Sequence, residues 1–230
     1  MAARNGSHSC NWLFLRITTM TNTISGSWLK VIAIFSMTID HIAYYYGVSN
    51  PFVYELMRTI GRIAFPTFAF LLAEGYVHTR NRKQYMLSLF TFAILSEVPW
   101  FLLNHDGSHN VLFTLLAGVI GMHVIDNSKN RWVTLSFLIL IGCATMMAET
   151  DYSLNGYVLT LLFFMFRERP CLQVLFGLPL MYEYGMIGMM MAFAVILLYN
   201  GERGFIHGKA AKYAFYAFYP VHLMLIYLIR

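Results

Sequence analysis

Apolar runs separated by short polar segments recur near residues 28–47, 57–79, 84–103, 111–126, 132–149, 153–166, 171–182, 185–200 and 212–229. Most approach the roughly 20 residues that carry a helix across a bilayer core. The pattern predicts an all-α fold, a polytopic transmembrane helix bundle of about nine spans. The run at 171–182 is short and holds Gly177 and Pro179, predicting a bent or re-entrant segment, which is tolerated where protein surrounds it. Loop charges give an independent test of this layout. Lys30, then Arg80, Arg82 and Lys83, then Lys129 and Arg131, Arg167 and Arg169, and Arg203, Lys209 and Lys212 fall at alternate turns. Glu55, Asp106, Glu149 with Asp151, and Glu183 fall at the others. Lysine and arginine gather on the cytoplasmic side, so the amino end is expected inside and the carboxyl end outside.

Composition narrows the function classes. The chain is 58% hydrophobic and 12% charged, against about a quarter charged in soluble domains, so an ordinary soluble domain is excluded. Spans fill most of the 230 residues, which leaves 28–230 as a single transmembrane domain. The net charge of +5 comes from loop clusters rather than one solvated face, which argues against nucleic acid as a partner. Cys10, Cys143 and Cys171 form no CxxC motif, so neither a disulfide framework nor a metal site is expected. Residues 1–27 lack a signal-peptide pattern and read as a disordered cytoplasmic leader, with Met20 a candidate start.

Ionisable residues inside spans cost several kcal/mol and point to function. Asp40, His41, Arg62, Glu74, Glu97 and His222 qualify. With a rise of about 1.5 Å per residue, His41 lies about 16 Å beyond Lys30 and His222 about 15 Å beyond Lys212. Both histidines are therefore expected at mid-membrane, at matching depth. The same count places Arg62 and Glu97 in the outer half, as candidate partners for each other or as a simple clamp between spans two and three. Asp40 and His41 point about 100° apart on a helix, so each needs a separate partner, Asp40 from Arg62 or another span. Pro66 should kink span two. Glu74 and His78, four residues apart, share a face near the cytoplasmic end.

Several stretches together resemble the TraX family of membrane acetyltransferases. They are Leu29-Lys30 through Asp40-His41-Ile42, Ile60-Gly61-Arg62-Ile63-Ala64-Phe65-Pro66 with Glu74-Gly75, and His78-Thr79-Arg80-Asn81. Ser96-Glu97-Val98-Pro99, Asn110-Val111 with Phe113-Thr114-Leu115, Tyr199-Asn200-Gly201, and Tyr219-Pro220-Val221-His222 continue it. The resemblance covers nearly all the chain after Trp28. It implies a multi-pass protein of the bacterial inner membrane that carries acetyl from cytoplasmic acetyl-CoA to a membrane acceptor. Amino-terminal acetylation of a pilin subunit is the activity of the family's namesake; a lipid or glycan acceptor and an oligomeric assembly are also compatible.

That chemistry needs a general base near neutral pKa, for which imidazole is suited. His41 is the expected base, supported by Asp40, with His222 as alternative base or holder of a transient acetyl group. Arg62, Glu97, Asn110 and Glu74 are expected at the substrate, with Arg62 or Asn110 polarising the carbonyl. Arg80, Arg82, Lys83 and Lys212 are expected to hold the phosphates of acetyl-CoA, with no metal. A small proton-coupled transporter or a non-catalytic membrane assembly factor are the alternatives.

Overall fold

The computed structural model describes residues 23–230; Met20, Cys10 and the leader as far as residue 22 lie outside them. The described chain is all-helical apart from isolated bridges. The helices are α1 (Gly26–Tyr46), α2 (Pro51–Gly61), α3 (Ala64–His78), α4 (Arg82–Asn104), α5 (Val111–Asn127), α6 (Arg131–Met147), α7 (Ser153–Met165), α8 (Pro170–Leu180), α9 (Met186–Leu197) and α10 (Gly208–Ile229). By length and composition, Pro51–His78, Arg82–Asn104 and Ala210–Ile229 can each cross a membrane. The outward faces carry Phe35, Val98, Phe101, Leu140 and Ile187, each more than half exposed, as a lipid-facing bundle requires.

Residues 23–27 are not a free leader. The Thr23 and Ile24 amides donate to Leu198 O at 3.1 and 3.0 Å, and Gly26 N donates to Glu202 O at 2.8 Å. This ties the start of α1 to the loop after α9. Asn50 caps α2 by accepting from Phe52 N and Val53 N, with Pro51 at the first helical position, so the second span starts earlier than its apolar run.

The kink expected from Pro66 appears one turn earlier, between α2 and α3. Pro66 has no N–H to give to the carbonyl four residues back, and its ring crowds that carbonyl, which belongs to Arg62. Ile63 N turns tightly to Ile60 O at 3.1 Å. Ser36 of α1 satisfies the disturbed backbone, its hydroxyl donating to Ile60 O at 2.5 Å and Gly61 O at 3.2 Å. Gly61 is needed here because a Cβ would collide with the Asp40 side chain. The segment at α8 is 11 residues long, about 16 Å, well short of a 30 Å hydrocarbon core. Pro179 lies in its last turn and a 3₁₀ turn, Tyr182–Tyr184, follows.

α1 packs on α2 and α3, α10 on α4, and α7 on α3 and α5. Leu29, Ala33, Ala69 and Leu223, all 0% exposed, close the core. Between α1, α3, α4 and α10 the packing opens into one large cavity.

Candidate functional site

The cavity measures about 910 Å³ and runs the length of the bundle. One end is basic, bordered by Lys30, Arg203, Lys212 and His78; the other is bordered by Asp106, Ser108 and Asp151. His41 lines the wall between these ends.

The two histidines placed at equal depth by residue counting are in contact. His41 Nδ1 lies 2.7 Å from His222 Nε2, and His222 Nδ1 lies 2.9 Å from Phe218 O. A carbonyl only accepts, so His222 Nδ1 carries the proton in that bond. With both rings neutral, His222 Nε2 is then an acceptor, and His41 Nδ1 donates to it. This leaves the lone pair of His41 on Nε2. That tautomer is the one a general base in the cavity needs. Tyr45 and Tyr219 flank the His41 ring, centroids at 5.9 and 6.5 Å.

Asp40 does not pair with Arg62. Its Oδ2 accepts from Arg58 Nη1 at 2.8 Å, because α2 lies antiparallel beside α1 and Arg58 sits one turn before the break. Its Oδ1 is buried without a hydrogen-bond partner. Arg62, beyond the break, instead lies near the Tyr152 hydroxyl and feels the charges of Asp40 and Asp151. Tyr152 stacks on Phe65 with centroids 3.9 Å apart.

The expected Arg62–Glu97 pair does not form. Glu97 Oε1 takes His109 Nδ1 at 2.5 Å and Oε2 takes Asn110 Nδ2 at 2.6 Å, because the short turn after α4 folds those residues back over it. Asn110 stands outside the cavity lining and caps α5. Its Oδ1 accepts from Leu112 N, its Nδ2 also donates to Ala93 O, and it is 0% exposed. Its polar groups are spent on the fold.

Glu74 borders the basic end but is held by Arg167 Nε at 2.7 Å, with His78 Nδ1 on its backbone carbonyl. Of the four cations expected to hold phosphates, only Lys212 lines the cavity. Arg82 is bound to Asp126 at 2.8 Å and lies over Tyr76. Arg80 and Lys83 are solvent-facing and stand clear of the cavity.

Residues that sequence reading passed over complete the site. Arg58 stands at the edge of the 57–79 apolar run, where a charge reads as a span end. Asp151 was read only as a loop charge, yet it reaches the cavity from the turn between α6 and α7. That turn is strained: Glu149, Tyr152 and Ser153 have φ of 45°, 60° and 39°, a conformation that costs non-glycine residues free energy. Thr114 Oγ1 bonds Asp151 O and Thr150 Oγ1, and Asp151 N donates to His109 O at 2.9 Å. Burial pushes the Asp151 carboxyl up to about 6.

No solved structure matches the chain. A relative described as "Probable fimbrial assembly protein FimC, serogroup H1", from Dichelobacter nodosus, is 27% identical over 229 residues, covering 86% of this chain and 92% of that protein. A family model described as TraX protein matches residues 25–230, and the chain therefore belongs to the TraX family.

Proposed function

We propose that this protein is a multi-pass acetyltransferase of the bacterial inner membrane. In this reading it has about nine membrane segments with its amino end cytoplasmic, Pro51–His78 counting as one bent span and the short α8 entering the bilayer without reaching across it. Acetyl-CoA enters at the basic, cytoplasmic end of the cavity, and the acceptor enters at the acidic end. The fimbrial name of the relative makes a pilin amino terminus the first acceptor to test, ahead of envelope lipid or glycan.

The observation that carries this reading is the His41–His222 contact in the wall of an end-to-end cavity, with the His41 Nε2 lone pair left for chemistry. The acceptor amine attacks the thioester carbonyl carbon, forming the new C–N bond. His41 Nε2 takes the amine proton, the C–S bond breaks, and the departing thiolate recovers that proton from the imidazolium. His222 holds the tautomer of His41 rather than reacting. Arg62, between Tyr152 and the two aspartates, lines the path and positions the acceptor.

The test uses the purified protein in nanodiscs with labelled acetyl-CoA and a pilin amino-terminal peptide. Transfer that is lost in His41→Ala supports the assignment; transfer unaffected by that substitution sinks it. The relative's description as an assembly protein favours a second reading, a membrane assembly factor without catalysis. Fimbriae that assemble normally and carry no acetyl difference with His41→Ala would select it.

A further inference from the structure

The basic end of the cavity gathers Lys30 from α1, Lys212 from α10 and Arg203 from the 198–207 loop. None of the three forms an ion pair among the described residues. Glu74, the carboxylate bordering this end, is engaged by Arg167. Lys30 and Arg203 are close enough to repel one another.

The cluster is held in place from several directions. Ser27 Oγ donates to Arg203 O and accepts from Ile206 N, both at 2.8 Å. Gly204 turns the loop at φ 80°, and a Cβ there would strike Ser25. The Lys30 ammonium lies over Phe215, and that of Lys212 over Tyr85, Tyr213 and Tyr216, at 5.6 to 5.8 Å from the ring centroids. Like charges fixed side by side without counter-charge disfavour the fold, and phosphate oxygens are the ligands that arginine and lysine together bind best.

Spacing constrains what that phosphate belongs to. Lys30 and His41 are eleven residues apart on one helix, about 16 Å, and Ile34, Met37, Leu72 and Leu89 line the cavity with them. A ligand anchored at the cations reaches His41 only through a long, slender arm.

We infer that Lys30, Arg203 and Lys212 bind phosphate oxygens of the acyl donor, whose arm runs between the helices to present its acyl carbon at His41. This rests on the transferase reading above. The shared chemistry is a phosphate ester on a long arm, available from CoA or from an anionic phospholipid.

Calorimetric titration with CoA, which lacks the acetyl group, separates binding from transfer. The full protein is placed in phosphatidylcholine nanodiscs. Lys30→Gln, Arg203→Gln and Lys212→Gln are each expected to weaken CoA binding by about tenfold, Lys212→Arg to restore most of it, and Arg80→Gln and Lys83→Gln to leave it within twofold. Acetyl-pantetheine, which carries no phosphate, should be used equally by wild type and the three variants. CoA binding that survives all three substitutions overturns the assignment. So does displacement of CoA by phosphatidylglycerol in the nanodisc with lipid binding lost in the same variants, which makes the cluster a headgroup site. CoA binding that follows the variants without any acetyl transfer removes the transferase reading and leaves the phosphate site standing. A variant without the wild-type melting profile is replaced by its Lys→Arg or Arg→Lys counterpart, which must bind CoA.

Discussion

His41 Nδ1 and His222 Nε2 meet at 2.7 Å across 181 residues of chain, with rings 7° from parallel. The contact is asymmetric: both His222 nitrogens are spent, on Phe218 O and on His41, whereas one His41 nitrogen remains. On the transferase reading, His41→Ala is expected to lower kcat for acetyl transfer by about 10²–10⁴, the usual worth of a general base. His222→Gln, whose amide oxygen can still accept from His41 Nδ1, should lose about tenfold less than that. Acid quench of a single turnover followed by peptide mass spectrometry should find no acetyl on His222. An acetylated His222 would reverse the roles.

The Asp40–Arg58 pair is largely buried, the side chains 14% and 18% exposed. Removing one partner strands the other, which in buried pairs costs about 3–5 kcal/mol. Asp40→Asn and Arg58→Met should each lower the melting midpoint in nanodiscs, and the double variant should lose less than the two losses added. Strict additivity would show that the two side chains are energetically independent. Gly61→Ala should also lower the midpoint, since its Cβ meets the Asp40 carboxylate.

The lengths of the apolar runs carried the helical fold, and counting rise per residue along single helices carried the pairing of the two histidines. Partner choice between helices did not follow. Asp40 finds Arg58 rather than Arg62 because Pro66 breaks the helix four residues upstream, a rotation that depth counting cannot register. Glu97 finds His109 because a turn of six residues folds back on α4, so a local contact displaces the long-range one that opposite charge suggested. Lys30 and Arg203 were legible as topology signals but not as cavity groups. Their convergence depends on residues 23–27 joining the loop after α9 through backbone bonds, and backbone pairing leaves no mark on side-chain pattern.

Glu97 and Asn110 bond one another and do not line the cavity. Asn110→Ala removes a cap and two further hydrogen bonds, to Ala93 O and Glu97, and a cap alone is worth about 0.5–2 kcal/mol. The variant should melt lower while the surviving folded protein keeps its kcat. Glu97→Gln should behave likewise, loosening His109. A folded Asn110→Ala protein with kcat reduced a hundredfold would return Asn110 to the reacting centre.

Asp151 offers a pH test outside the spanning helices. Burial raises its carboxyl to about 6 from the ordinary 3.8, outweighing the Tyr152 amide and Arg62, which pull the other way. The folded state therefore holds this proton more tightly than the unfolded chain does. Below about pH 4 both states are protonated and the group is neutral in effect. As pH rises from 4 to 6 the unfolded chain releases its proton first, and stability declines; above 6 the full cost is present, at most about 3 kcal/mol for a shift of this size. Asp151→Asn abolishes the titration. Its melting midpoint should match wild type at pH 4 and exceed it at pH 7.5, and comparing the two proteins cancels the other titrating groups. A variant that melts below wild type at pH 7.5 would mean that the carboxylate attracts Arg62 more strongly than burial opposes it, and the strained turn would then be held by charge.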